Sequence, residues 1–420
     1  MTTPVLLVVM VAFSFAVARL LQRWVSRYVV LSGAEYLVIG ILVGPLVPPR
    51  LITAEIMHQI QPLVSLLLGL IGFTVGMRAP RTTSGGPAVT VGVLSSIGVV
   101  LFVGAVFIAV GDLLGVRPGH DLPHYHITVA SFGQWRASLE LSDAQLWLGL
   151  AIGGSAATAS PTVIERVRAQ HGIHGPHGAL LSTLAESSQW VGVLALGVAL
   201  ALARARNPLG GAGLGLGEWA LLGSMLGVLC GVLFSLFIGR EQDPQRLFLA
   251  TVGGVIFASG VGTALQISPL FVNLIAGLTV SLTSAHAERV RHEIERLTHP
   301  LFVMTMLLGG AMWSPPEHVQ LWLLPVVFAL ARLLGRTLFV RTFGPALIET
   351  PPRLEQGLLA QGTASIAVAL DFSQHFPDFA PLVLSSVLGA ALLNEIFSHR
   401  ALRAALLDLG ESELLTPRQT

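Results

Sequence analysis

The chain carries one carboxylate deep inside an apolar stretch. Glu186 stands about nine residues into a segment running roughly from 177 to 203. An ionised carboxylate at that depth in a bilayer is costly, so it marks a functional site and calls for a partner. Its neighbours Ser187, Ser188 and Gln189 add neutral oxygens. A carboxylate beside neutral oxygens suits reversible binding of a proton or a small cation. One partner stands at matching depth: Arg332 lies nine residues from Arg341, as Glu186 lies nine from His177. At a rise of about 1.5 Å per residue, both sit roughly 13–14 Å from their span ends. Burying either charge alone is much worse than burying the two together, so the sequence predicts a Glu186–Arg332 ion pair. Arg336, one turn nearer the surface, is placed to snorkel. The remaining acidic residues near apolar spans, Glu35, Asp112, Asp371 and Glu395, fall closer to span ends.

Two spans flank this pair and read as interrupted. The fifth contains Gly153-Gly154-Ser155-Ala156-Ala157-Thr158-Ala159-Ser160-Pro161-Thr162, and the twelfth contains Gln361-Gly362-Thr363-Ala364-Ser365. Small residues, hydroxyls and a mid-span proline permit local unwinding, after which freed carbonyls and helix ends can coordinate an ion. Thr158, Ser160, Gln361, Thr363 and Ser365 are the ligands such breaks would offer. Small-residue runs also make ordinary helix-packing faces, so neither run is decisive alone. Their placement is more telling. The two spans are seven apart and run in opposite directions, as in an inverted repeat relating spans 4–6 to spans 11–13.

Composition sets the class. The 420 residues have 11% charged side chains and a mean hydropathy of +0.74. Soluble proteins carry about a quarter charged residues. The sequence therefore predicts an all-α polytopic membrane protein: one membrane domain over 1–403 and a short cytoplasmic tail over 404–420. Thirteen spans are expected, near 4–21, 30–47, 60–77, 88–113, 144–164, 177–203, 215–238, 246–265, 268–284, 298–313, 319–341, 354–372 and 379–399. The first lacks the basic leader and small-residue cleavage site of a signal peptide. All 24 basic residues are arginine. With the N-terminus outside and the C-terminus inside, 17 arginines lie on the inner side and 5 on the outer, leaving Arg332 and Arg336 within a span. That asymmetry supports the count and points to the plasma (inner) membrane.

The same reading excludes several functions. A net charge of +1 argues against nucleic acid. The single cysteine, Cys230, permits no intramolecular disulfide or multi-cysteine metal site. His120, Asp121, His124 and His126 fall in the long connection 114–143, which reads as a solvated loop. The run His171, His174 and His177 reads the same way, with a pH-responsive role as its alternative. Gly210–Gly217 lacks the flanking strand and helix of a phosphate cradle. His292-Glu293-Ile294-Glu295-Arg296 begins like a zinc-protease motif and ends in the wrong residue. No nucleophile–base pair stands out, so neither an enzyme nor a cofactor or bound metal is expected.

Several segments resemble the cation/proton antiporter superfamily, which includes bacterial sodium/proton exchangers and potassium-efflux transporters. Tyr36–Pro45 (YLVIGILVGP) is similar to the family's early Gly-Pro segment, and Gly69–Met77 (GLIGFTVGM) to its third-span signature. Ser155–Thr162 (SAATASPT) resembles the unwound fifth-span region. Phe271–Leu278 (FVNLIAGL), Pro300–Gly310 (PLFVMTMLLGG), Ala331–Arg336 (ARLLGR) and Leu388–Leu402 (LGAALLNEIFSHRAL) fit spans nine, ten, eleven and thirteen in order. The resemblance implies two crossed discontinuous helices, a separate dimerisation region and hence a homodimer, with alternating access around the crossing.

It also implies an Asp-Asp or Asn-Asp pair on the sixth span. Here Leu184-Ala185-Glu186-Ser187-Ser188-Gln189-Trp190-Val191 contains no aspartate. One alignment puts Ser188 and Gln189 in the acidic-pair positions. Another matches Glu186-Ser187 to a Glu-Ser of electroneutral members, whose glutamate pairs with the eleventh-span arginine.

Three functions remain. The first is exchange of a monovalent cation (Na, K or Li) for protons, with Glu186 carrying the charge and Arg332 compensating it. The second keeps the fold but moves another solute or an anion past a structural Glu186–Arg332 pair. The third is a non-transporting sensor or scaffold.

Overall fold

The computed structural model describes residues 33–44, 56, 59–78, 86–113, 124–132, 135–173, 175–206, 214–238, 243–316, 319–349, 351 and 353–408. The expected first span, His120, Asp121, His174 and residues 409–420 lie outside them.

Each other expected span contains helix, interrupted in the fifth and twelfth, and one further helix, Ala287–Glu295, lies between expected spans. In chain order these are α1 (Ala34–Val43), α2 (Gln61–Met77), α3 (Gly86–Leu113), α4 (Asp143–Ala157), α5 (Pro161–His171), α6 (Pro176–Arg206), α7 (Leu216–Ile238) and α8 (Pro244–Ala264). They continue with α9 (Pro269–Thr283), α10 (Ala287–Glu295), α11 (Thr298–Ala311), α12 (Leu324–Leu347), α13 (Leu354–Gly357), α14 (Thr363–His375) and α15 (Ala380–Asp408). Short 3-10 turns, Val319–Leu323 and Pro377–Phe379, lead into α12 and α15. Among the described residues, six helices are long and apolar enough to cross a membrane, and three shorter apolar helices accompany them. The last helix runs five residues past the expected domain end at 403, to Asp408.

Local chemistry explains many of the boundaries. Proline opens α2, α5, α8 and α9, where its missing N–H costs nothing. Ser160, Asp243 and Ser268 each accept a backbone N–H from the first turn of the helix they precede. α10 is the exception among these apolar helices: it buries Ala287, Val290 and Ile294 along one stripe of an otherwise charged sequence.

One expectation needs correcting. The connection 114–143 is not loop throughout. Strands β1 (His124–Phe132) and β2 (Trp135–Ser142) pair antiparallel, with His124 opposite Ser142 and Phe132 opposite Trp135. The alternation in Ser138-Leu139-Glu140-Leu141-Ser142 is the period-two signal of a strand, and it outweighs the loop-like composition around it. Apart from this hairpin the described architecture is helical.

The helices fall into two groups that pack chiefly within themselves. One comprises α1, α2, α7, α8, α9, α10 and α11; the other comprises α3, α4, α5, α6, α12, α13, α14 and α15. Backbone-to-backbone approach at glycine binds each group. A Cβ at Gly76 of α2 would stand 2.2 Å from the Leu274 carbonyl oxygen of α9, and one at Gly153 of α4 would stand 2.1 Å from that of Val100 on α3. Close packing through small residues replaces the hydrophobic drive that lipid cannot supply. The outer faces stay apolar, as Leu221, Met225, Leu229 and Phe237 of α7 and Leu330 and Leu334 of α12 illustrate. The two groups meet where α6 touches α7 and α9, and where α14 touches α2, α9 and α11.

Candidate functional site

The helical hydrogen-bond ladder stops at two places, and the two places touch. After α4 ends at Ala157, Thr158, Ala159 and Ser160 are non-helical, and Pro161 starts α5. Pro161 cannot donate to a continuing ladder, while Ser160 turns extended and caps the new helix through Val163 N. The second interruption covers 358–362, between α13 and α14. Ser160 N donates to the Ala360 carbonyl at 3.0 Å, joining the two. Gly362 lies flat on Ser160, where a Cβ would come within 2.5 Å of Ser160 Oγ. Ser155 Oγ lies 2.9 Å from both the carbonyl and the hydroxyl of Ser365. Gln361 Nε2 donates to Ser365 Oγ at 2.7 Å, and Asn394 Nδ2 donates to Gln361 Oε1 at 3.1 Å. The Ala159 N–H finds Ser188 Oγ at 2.9 Å, which ties α6 to the same junction.

Interrupting helices leaves carbonyls without partners, and a buried unpaired carbonyl is costly. Two fully buried arginines of α12 supply the missing donors. Arg332 donates through Nε to Ala156 O at 2.9 Å, through Nη2 to Thr158 O at 2.7 Å and through Nη1 to Leu359 O at 2.6 Å, with Leu358 O at 3.5 Å from Nη2. Arg336 donates to Ala157 O and, at 3.4 Å, to Ser96 Oγ. A cation at the carbonyl end of α4 is also where the helix dipole favours one.

This geometry overturns the predicted ion pair. Arg332 is held by the carbonyls of both interruptions and makes no salt bridge to Glu186. Equal counts from the span ends did not bring the two side chains together. Nor does Arg336 snorkel: it is fully buried beside Arg332.

Beside the junction lies a small, partly open pocket of about 40 Å³. Gln189 of α6, Ser160 of the first interruption, Thr162 of α5, Thr363 at the start of α14, Thr298 of α11, Thr74 of α2 and its C-cap Arg78 give it its polar lining. Gln189, Ser160 and Thr363, three of the residues expected at an ion site, line this pocket. Thr158, Ser188, Gln361 and Ser365 instead hold the interruptions together; the Thr158 hydroxyl, for example, donates to Ser155 O. Ser187 points elsewhere, donating to Thr183 O and packing on Gly92 of α3.

Glu186 lies one turn before Gln189 on the same face of α6 and is partly buried. It makes no hydrogen bond or ion pair, and the cations it interacts with electrostatically are Arg78 and Arg291. Sequence reasoning missed Arg78 as a lining residue and counted it with the surface arginines. It is the C-cap of α2, 8% exposed, and its side chain takes no hydrogen-bond partner. Among the described residues no three His, Cys, Asp or Glu side chains gather as metal ligands.

A family model described as "Sodium/hydrogen exchanger, transmembrane" matches residues 34–397. Among solved structures, one of the sodium proton antiporter MjNhaP1 from Methanocaldococcus jannaschii at pH 8 superposes with a TM-score of 0.67. It is 14% identical, and the alignment covers 97% of this chain and 99% of that one. A second structure of the same antiporter, from an electron microscopy map, gives a TM-score of 0.61 at 14% identity, covering 97% and 98%. At that identity the likeness is one of fold. No curated protein matches the chain by sequence.

Proposed function

Since the chain belongs to the sodium/hydrogen exchanger family, matched over residues 34–397, we propose that it exchanges a monovalent cation for protons, with Glu186 as the carboxylate that takes up and releases the proton. One observation carries this reading. Arg332, the expected partner, is engaged by backbone carbonyls, and Glu186 is left partly buried without an ion pair or hydrogen bond. A carboxylate locked to a buried arginine resists protonation; an unpaired one beside an open pocket is free to change charge.

In this reading α4–α5 and α13–α14 are two discontinuous transmembrane helices, crossed at Ser160 and Ala360 and related by an inverted repeat. Gln189, Ser160, Thr162 and Thr363 offer the cation neutral oxygens, with Glu186 one turn away toward the Arg78 end of the pocket. The two helix groups move relative to each other to give alternating access. The protein works as a homodimer in the plasma membrane, N-terminus outside and C-terminus cytoplasmic, so that the pocket faces the cytoplasm. The test is proton movement in proteoliposomes on addition of Na⁺, K⁺ or Li⁺ across a range of pH. Cation-dependent proton flux is expected; its absence for all three cations ends the proposal.

A second reading rests on Arg78. The pocket lining contains no carboxylate and one unpaired guanidinium, which favours an anionic solute over a bare cation. Arg78→Gln separates the two. If a cation is carried, removing a resident positive charge lowers the cation concentration for half-maximal flux by about tenfold, the equivalent of about 1.4 kcal/mol of repulsion between two charges in a partly hydrated site. If an anion is carried, its uptake is lost.

A further inference from the structure

A second buried carboxylate, unused by the mechanism above, joins the two helix groups. Asp371 of α14 has no exposed surface. Its Oδ2 accepts from Ser268 Oγ at 2.5 Å and from Leu270 N at 3.3 Å. Both donors belong to the N-terminus of α9, across the boundary between the groups. Ser268 is itself the cap of α9, accepting from Phe271 N at 2.9 Å. The carboxylate therefore sits at the positive end of a helix dipole.

The other oxygen, Oδ1, accepts no hydrogen bond. It lies 3.3 Å from Nδ1 of His375, one turn on along α14. That nitrogen is also 2.9 Å from the Asp371 carbonyl oxygen. A carbonyl only accepts, so Nδ1 carries hydrogen, and a further proton on the ring would go to Nε2.

The neighbours are few. Arg204 of α6 is the charged group of an adjoining helix that acts on His375. α9 presents the Ser268 hydroxyl, Asp378 on the following turn is exposed, and Trp147 of α4 stacks on Phe376 at 5.4 Å. Along α14, Asp371 is eight residues beyond Thr363, roughly 12 Å from the pocket on the side away from Arg78.

We propose that Asp371, with His375 and Ser268, is a second proton-binding site, and that a proton taken up at Oδ1, the oxygen that faces His375 and accepts no hydrogen bond, unfastens α14 from α9 and opens the molecule at the end opposite the pocket. Ionised, Asp371 makes charge-assisted bonds to Ser268 and Leu270. Protonated, it makes neutral ones of about half the strength and loses the attraction of the helix end. The site thus couples proton arrival on that face to separation of the groups. It rests on the alternating-access reading only in assigning a use to that opening.

Ala367 reports the opening. It lies one turn before Asp371 on the same face of α14 and is fully buried. The full-length chain with Cys230→Ser and Ala367→Cys is treated in membrane vesicles with an impermeant maleimide on the face carrying Arg204. Slow labelling at pH 8 and faster labelling on acidification are expected. Asp371→Asn should label about tenfold faster at pH 8, a shift corresponding to about 1.4 kcal/mol, and lose the pH dependence. If Asp371→Asn does not survive purification, Ser268→Ala must raise the rate at pH 8 by a similar factor. Unchanged labelling overturns the proposal, as does faster labelling that keeps its full pH dependence, because a merely structural contact would behave that way. The assay needs no transported ion, so it succeeds or fails independently of Glu186.

Discussion

Arg332→Ala is expected to yield no stable folded protein. The guanidinium satisfies carbonyls of Ala156, Thr158, Leu358 and Leu359, which belong to both interruptions and have no helical partners. A buried polar group left unsatisfied costs ~1–3 kcal/mol, so losing donors to several of them costs about 4 kcal/mol or more. That is a large part of the ~5–15 kcal/mol by which folded proteins are stable. Removing Arg332 also leaves Arg336 as the sole cation at the end of α4. Lysine is a poor substitute: its compact ammonium cannot span carbonyls on two chain segments as the planar fork does. Arg332→Lys should fall between wild type and alanine in melting temperature in detergent. The partner assignment has its own check. If Arg332 serves carbonyls and not Glu186, the melting effects of Arg332→Lys and Glu186→Gln add within about 0.5 kcal/mol, whereas a direct pair couples by ~0.5–3 kcal/mol. An unchanged melting temperature for Arg332→Ala would remove the carbonyl-clamp account altogether.

The misassigned partner shows what a sequence discloses and what it hides. The interruptions were legible because their cause is local: Pro161 must end a ladder, and Gly362 and Ser160 are the small residues that allow two backbones to touch. Helix positions were legible from apolar length, and Gln189 and Thr363 from their place beside those breaks. The Glu186–Arg332 pair was inferred from depth alone. Depth fixes height along a helix but not rotation about it, and it ignores the carbonyls that an interruption sets free. Those carbonyls were the stronger claim on a buried guanidinium. Arg78 was hidden for a related reason: a residue just past a helix end turns back or outward according to neighbours distant in sequence, and here it lines the pocket. Asp371 read as a span-end residue because its hydrogen-bond partner Ser268 stands 103 positions away. These three misses, Glu186–Arg332, Arg78 and Asp371, concern interactions between segments, which local sequence does not specify.

Glu186→Gln is expected to reduce cation-driven proton flux to the level of protein-free liposomes while leaving the fold intact. The substitution keeps the side chain's shape and removes its proton and its charge. Stability should change by no more than about 0.5 kcal/mol, as for other substitutions away from a bonded network, because Glu186 makes no hydrogen bond or ion pair. Loss of flux can then be assigned to the missing charge. Without Glu186 the region around the pocket retains Arg78 and neutral oxygens, an environment that repels a cation and has nothing to exchange for it. Glu186→Asp tests the same point from the other side: it keeps the titratable group one methylene shorter and should retain measurable flux. Full flux in Glu186→Gln would exclude Glu186 as the proton carrier. The proton would then have to be carried by a group other than Glu186, outside a pocket whose lining contains no carboxylate.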